Sequence, residues 1–512
     1  MTARKFLLGW VGLLALSSQL HAQLLPQNFS DHDIMPVGYS SPLQDEKSVD
    51  LEAQVRRMEL RLRELELDVQ QKIQAQPEAD QQLSESNQQV TERLGKLEQT
   101  SEQHSASVKN IENTLPNRVF HDHGSPQMRL NGRIQTDYLA FPKVDDGLFP
   151  LEGGNPQDRF IFRRARLGVA GDLNDNMFYE LEGEFSEDGK VAYRDLFLGF
   201  RAVPLLNTVI IGNQKRPYGL DQLNSSRYNL FMERSLITEA FNQEARRIGI
   251  SSNGYSADQK FNWRYGVWNQ QLTQGTAGYI GDHYQLEVAG RIAATPWYDE
   301  SSGGRGYAHV GLSGSAGVPD GRTGSTNNQA RYAAHPEIRS SNQWLDTGAI
   351  SGANANYLVG LESVINVGAV QLTSEYMRNN VDRRDAVGED VAFDGLYTQV
   401  SYFLTGEHMP WNRQRGTLDR VVPFENFFMV RDCDCNTQRG WGAWQVAARY
   451  SHADLTDFDI VGGTGDAMTL GLNWYWNPFA RMQFNYILGE IDRTPVGAGD
   501  YEIFGVRFMV DF

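Results

Sequence analysis

Long hydrophobic runs are largely missing from this chain. Beyond residue 22 no stretch approaches the roughly 20 consecutive apolar residues that a membrane-spanning helix needs, and the mean hydropathy is -0.48. A helical membrane bundle is therefore excluded. A transmembrane β-barrel is not, because only every second residue of a barrel strand faces lipid and the average stays low. Cysteine is nearly absent: Cys433 and Cys435 are the only two in 512 residues, so no disulfide-built scaffold is expected. Their Cys-Asp-Cys spacing supplies too few ligands for a zinc site; a strained local disulfide and pairing with another chain stay open, and no role is assigned. An excess of positive charge is missing too. With 47 Lys and Arg against 64 Asp and Glu, the net charge is -17, which argues against a general nucleic-acid binder. The ten histidines form no His-Glu-x-x-His run, and there is no Gly-x-Ser-x-Gly elbow. Gly462-Gly463-Thr464-Gly465 lacks the lysine of a phosphate loop and reads as a turn. Enzyme activity, a metal site and a cofactor are not expected.

What is present begins with an export signal. Arg4 and Lys5 precede an apolar stretch from Phe6 to Leu16, and Leu20-His21-Ala22 offers a cleavage site before Gln23. That stretch is too short for an anchor, so residues 1–22 read as a cleaved signal peptide, followed by a linker over 23–46. From Lys47 the apolar residues fall at alternating spacings of four and three: Leu51, Val55, Met58, Leu62, Leu65 and Val69. This is a heptad seam. Pro77 interrupts it, and it resumes with Val90, Leu94, Leu97, Val108, Ile111 and Leu115, weakened by Ser101 and His104 at seam positions. Residues 47–116 are thus expected to form an α-helical coiled coil of several chains, ending at Pro116, with a linker over 117–127.

At residue 128 the period changes from 3.5 to 2. Phe504, Val506, Phe508, Val510 and Phe512 alternate with Ile503, Gly505, Arg507, Met509 and Asp511, so one face is greasy and the other mixed. A soluble sandwich also alternates, but the aromatic-rich outer faces and the terminal Phe favour lipid, as do 11% aromatics and 49 Gly. The fold class expected for 128–512 is an all-β transmembrane barrel of about 16 antiparallel strands, starting near 128, 159, 177, 190, 207, 244, 261, 284, 305, 356, 369, 391, 439, 466, 479 and 501. If the chain enters from the periplasm, every second connection should be short. Asp172–Asn176, Ala202–Leu206, Asn366–Gly368 and Asn477-Pro478 are. Gly406–Gln438 breaks the rule: either the strand count slips there or this segment folds into the lumen.

The expected inward face carries Arg133, Arg164, Arg166, Arg247, Arg264, Arg291, Arg449, Arg481 and Arg507. Guanidinium groups stay charged and offer several donors, so a stack of them can pass anions from site to site. The same phase turns Glu180, Glu182, Glu184, Glu287, Glu362 and Glu375 inward, and plain cross-wall pairing is the alternative. The long connection after the fifth strand adds Lys215, Arg227 and Arg234, and the anomalous one adds Arg413, Arg415 and Arg420. They form a cationic constriction if both connections enter the pore, and solvated surface loops if neither does.

Several segments, in order, resemble the phosphate-selective porin O and P family over about 128–512. They are Gly132-Arg133-Ile134-Gln135, Phe162-Arg163-Arg164-Ala165-Arg166-Leu167-Gly168, Gly212-Asn213-Gln214-Lys215-Arg216-Pro217-Tyr218, Phe231-Met232-Glu233-Arg234, Phe403-Leu404-Thr405-Gly406-Glu407, and Gly440-Trp441-Gly442-Ala443-Trp444 leading to Arg449-Tyr450-Ser451. The resemblance implies a homotrimer of sixteen-stranded barrels in the bacterial outer membrane, in contact with its lipid and lipopolysaccharide. It also implies loops folded into each lumen, one of them a periplasmic connection. It implies passive uptake of phosphate or polyphosphate through arginine ladders and a central lysine, for which Lys215 is the nearest candidate. A weakly selective porin remains the alternative, as does a tether whose periplasmic coiled coil contacts the cell wall.

Overall fold

The computed structural model describes residues 61 and 126–512, apart from 187–189, 243, 273–279, 282–283, 323–324, 385 and 432–436. The expected signal peptide, the expected coiled coil apart from residue 61, nearly all of both linkers, and Cys433 and Cys435 lie outside the described residues. Strand β1 (Arg129–Val144) is followed by β2 (Arg159–Asp172), β3 (Met177–Glu184), β4 (Ala192–Val203), β5 (Asn207–Lys215), β6 (Arg246–Tyr255), β7 (Phe261–Asn269), β8 (Leu286–Tyr298) and β9 (Gly306–Gly317). A small hairpin, β10 (Ala333–Ala334) with β11 (Leu345–Asp346), precedes β12 (Ala353–Val367), β13 (Val370–Arg383) and β14 (Val391–Phe403). Two further hairpins, β15 (Trp411–Asn412) with β16 (Thr417–Leu418) and β17 (Phe428–Arg431) with β18 (Thr437–Gly440), come before β19 (Ala443–Asp457), β20 (Ile460–Asn477), β21 (Ala480–Arg493) and β22 (Gly497–Asp511). Leaving out the three hairpins, sixteen strands pair in sequence order, all antiparallel, and close when β1 pairs with β22. Closure leaves no strand edge to meet hydrocarbon, which is why a sheet can stand in a membrane at all. The seam is tied at one end by Phe512, whose N–H donates to the Gly132 carbonyl at 3.1 Å.

Each of the sixteen strands starts within a few residues of its expected position. The largest displacement is β20, which begins at Ile460 rather than near 466. The reading of Gly462–Gly465 as a turn is corrected here. Ile460 and Val461 pair with Asp457 and Thr456 across a tight turn, so the strand runs straight through the glycines. The register slips between Asp454 and Thr456 on β19, and Gly463 takes φ +92 opposite that slip, a conformation that costs glycine nothing.

At the barrel end that carries the seam residue Phe512, most connections are short. The exception is the connection between β14 and β19, whose first part, residues 407–421, turns inward: the Tyr307 hydroxyl donates to the Met409 carbonyl at 2.9 Å, and the Tyr307 and Trp411 rings stack at 5.4 Å. From the opposite end, residues 216–245 and 318–352 also enter the barrel. The two directions meet where the Leu418 N–H donates to Asn224 Oδ1 at 2.9 Å.

Outward faces are apolar along the wall; Phe160, Leu181, Ile250, Ile292, Leu312 and Leu361 are all exposed. Inward faces are polar only in part. Toward the far end, Ile487, Ile491, Tyr501, Ile503 and Phe393 of the wall are buried under Leu236, Ile237, Tyr332, Ile338 and Trp344 of the inserted connections. Each large side chain withdrawn from water in this way contributes about 1.5–3 kcal/mol. The wall also makes room at Gly395, where a Cβ would collide with Ile237 of the short helix Leu236–Phe241. The mixed inner face of β22 is thus a packing surface for loops, interrupted by charge at Arg507 and Asp511.

Candidate functional site

Between the wall and the inserted connections lies a cavity of about 290 Å³. Eleven cations border it: Arg133, Arg163, Arg164 and Arg166 from β1 and β2, Arg194, Lys215 and Arg246 from β4 to β6, and Arg227, Arg234, Arg339 and Arg415 from the inserted segments. Five carboxylates oppose them, Glu180, Asp195, Glu233, Glu239 and Glu244, so cations exceed acids by six in a chain whose net charge is -17. A second opening of about 450 Å³ shares Glu244 and Arg339 with the first and adds Arg331, His335 and Arg493. A narrow cleft toward the seam end shares Arg227 and Tyr228 and is bordered also by Arg420 and Arg481. Basic side chains therefore line a series of adjoining spaces along the barrel.

Irregular pairing concentrates this charge. Gln135 pairs with Arg164 and Thr136 with Phe162, so Arg163 is the extra residue of a bulge and both Arg163 and Arg164 reach the cavity. A second slip, between Leu181 and Gly183 on β3, lets the neighbours Arg194 and Asp195 both border it. Strict alternation would have turned one of each pair outward.

Most of the guanidinium groups have carboxylate partners. Arg133 donates to Glu182 at 2.6 Å and to the Ser226 hydroxyl at 2.7 Å. Arg166 donates to Glu184 at 2.6 Å, and Arg227 lies 3.2 Å from Asp511. Glu233, on the inserted connection, holds three arginines: Arg163 through two bonds of 2.8 and 2.9 Å, Arg507 at 2.6 Å, and Arg164 at 3.3 Å. Burial by itself would raise the Glu233 carboxyl, but the guanidinium groups of Arg163, Arg164 and Arg507 beside it reverse that and hold it well below the usual carboxylate range.

Two cavity cations differ. Arg234 spends only its Nε, on the Asp221 carbonyl at 3.1 Å. Arg415 is exposed, and its guanidinium has no hydrogen-bond partner among the described residues. Lys215 also borders the cavity, but its ammonium donates to three backbone carbonyls, Gln222 at 2.6 Å, Leu223 at 3.0 Å and Asn224 at 3.0 Å. Its charge faces the site while its three protons hold the short helix Leu220–Leu223 in place.

Of the residues expected from sequence to bind anions, Arg133, Arg164, Arg166, Lys215, Arg227, Arg234 and Arg415 border the main cavity. The others stand elsewhere. Arg291 is buried against Glu362 and the Gly416 carbonyl, Arg449 pairs with Glu337 at 2.6 Å, and Arg507 with Asp137 at 2.7 Å. Arg481 donates to the Asn229 carbonyl at 2.9 Å, Arg247 to the Gln270 carbonyl at 2.6 Å, and Arg264 to Gln214 Oε1 at 2.9 Å. Arg413 pairs with Glu300 beside the Tyr298 ring. Arg163, Arg194, Arg246 and Arg339 were not anticipated. Bulges deliver the first two; Arg246 opens β6 and Arg339 lies on an inserted loop.

The sequence profile described as phosphate-selective porin O and P matches residues 128–512, the whole barrel. The chain belongs to that family. Porin O of Pseudomonas aeruginosa is 24% identical over 417 residues, spanning 73% of this chain and 85% of that one. An uncharacterized protein of Caulobacter vibrioides is 30% identical over 423 residues, 76% of each chain. Among solved structures, OmpT, an outer membrane protein of Vibrio cholerae in its trimer form, aligns with TM-score 0.46 at 12% identity, covering 76% of this chain and 100% of that one. DcaP of Acinetobacter baumannii, an outer membrane channel, aligns with TM-score 0.44 at 11% identity over 76% and 99%. By its family this chain is an outer-membrane porin; Glu233 and Arg234 of the inserted connection fall in its Phe-Met-Glu-Arg segment, and Lys215, at the end of β5, in its Gly-Asn-Gln-Lys segment.

Proposed function

We propose that this porin passes small anions by diffusion, phosphate and short polyphosphates foremost, through the cavity and its two adjoining spaces. The observation that carries the reading is the excess of six cations around the main cavity. In a narrow, low-dielectric passage such an excess concentrates anions and repels cations, and fixed guanidinium donors replace part of the ligand's hydration. Arg234 and Arg415 are the groups that touch the ion; the paired arginines set the field and hold the loops. The chain acts as a homotrimer with its seam end facing the periplasm. Residues 1–22 are removed on export, residues 47–116 form a periplasmic coiled coil, and 128–512 form the barrel.

The test is reconstitution of the mature protein in planar bilayers. Under a potassium chloride gradient the reversal potential should take the sign of an anion-preferring pore, and added phosphate should lower the chloride current in a saturable way. A cation-preferring reversal potential would refute the anion reading.

A further inference from the structure

Four of the five cavity carboxylates are already engaged. Glu233 holds its three arginines, Asp195 accepts from Arg246, Glu244 accepts from Arg194 at 2.6 Å, and Glu239 lies 2.6 Å from His335 Nδ1. Glu180 is the exception. It stands on β3, half-buried, bordering the cavity, with Asp195, Glu182, Arg246 and Arg227 as its charged neighbours. No donor of the described residues lies within hydrogen-bonding distance of it.

An ionised carboxylate is an acceptor with nothing to donate. A ligand that reaches both a cavity guanidinium and Glu180 must therefore carry oxygens that accept and a proton that it can give. Hydrogenphosphate has both: its unprotonated oxygens take N–H groups of Arg227 and Arg246, the guanidinium groups beside Glu180, and its P–OH points at Glu180. Sulfate matches it in shape and charge but has no proton, so one of its oxygens would face the carboxylate lone pair to lone pair. We propose that Glu180 is a specificity-determining residue that favours protonated tetrahedral oxyanions over fully deprotonated ones. The inference rests on the anion-channel reading above and adds to it the discrimination between two ions of equal charge.

Inhibition of the chloride current by phosphate and by sulfate tests this. The pH is set well above neutrality, where phosphate is the dianion and Glu180 is ionised, so that both ions carry the same charge. Wild-type porin should bind phosphate at least about tenfold more tightly than sulfate, the worth of one hydrogen bond to a charged group. Glu180→Gln offers an amide N–H to sulfate, so that ratio should fall to about twofold or less, whereas Glu180→Asp, still an acceptor only, should keep the preference. Folding of each variant is checked by heat-modifiable gel migration. Removing a negative charge strengthens binding of both ions alike, so the ratio is the readout that a mere field effect leaves in place. A wild-type ratio near one, or a ratio unmoved in Glu180→Gln, overturns the proposal for Glu180 while leaving an anion-preferring reversal potential intact. A cation-preferring reversal potential overturns both readings together.

Discussion

Glu233 is the point at which the inserted connection is fastened to the wall, and its replacement by Gln gives the sharpest stability test. The carboxylate accepts four N–H bonds, two from Arg163 and one each from Arg164 and Arg507. In Glu233→Gln, Arg507 keeps both bonds to Asp137 at 2.7 Å and Arg164 keeps Gln135 at 2.7 Å. Arg163, which has no other side-chain partner among the described residues, keeps at most one of its two bonds, to the amide oxygen. Breaking a buried pair by removing one partner costs about 3–5 kcal/mol; the retained bonds and the new amide oxygen favour the lower end, so about 3 kcal/mol, or two decades in the population of a detached connection. Single-channel recording should turn a quiet wild-type trace into one that flickers between conductance levels, and the thermal transition in detergent should fall. The pH dependence has a fixed sign. A carboxyl held below its unfolded value stabilises fully above the ordinary glutamate pKa of about 4.3 and loses that contribution as pH falls through the lower folded value. Wild-type traces should therefore stay quiet at the ordinary glutamate pKa and begin to flicker only at more acid pH. A Glu233→Gln porin with wild-type noise and thermal transition, or a wild-type channel that loosens at the ordinary value, would refute the reasoning.

Arg415→Ala should leave the fold unchanged to within about 0.5 kcal/mol, because its side chain supports nothing else, yet shift the reversal potential toward cations and weaken phosphate inhibition by about tenfold. Unchanged selectivity in a folded variant would show that ions pass elsewhere. Lys215→Met should act in the opposite manner, leaving three carbonyls without a donor at a cost of about 1–3 kcal/mol and raising conductance noise more than it alters selectivity. Lys215→Arg should not rescue it, since a planar fork cannot meet three carbonyls converging on one point; rescue by Arg would mean that charge alone matters there.

Strand positions were legible because a wall with lipid outside imposes period two on every strand, and a shift of one residue would turn its greasy face inward. The lumen was less legible for a related reason. Alternation states which side of the wall a residue faces and not what covers it there. Ile503 and Arg507 share the inward phase of β22, yet one lies under an apolar loop core and the other in an ion-pair cluster. Bulges hide further information. Arg163 reads as outward by counting, and only the slip opposite Gln135 brings it beside Arg164. The inward turn of residues 407–421 did leave a trace, a connection too long for the end of the barrel on which it falls.

The ion pairs explain how a cationic passage is kept open in an acidic chain. Eleven cations around one cavity would repel one another if left bare, and the desolvation cost of each would fall on the fold. Pairing Arg133, Arg166 and the Glu233 cluster with carboxylates removes most of that repulsion while rigidly positioning the remaining charge. Arg234 and Arg415 can then stay unpaired because they are partly exposed to the cavity and come from two connections entering from opposite ends. Glu233 and Lys215 both fasten residues 216–245, which carry Arg234, so loosening that connection at either point should broaden selectivity before it destroys the barrel.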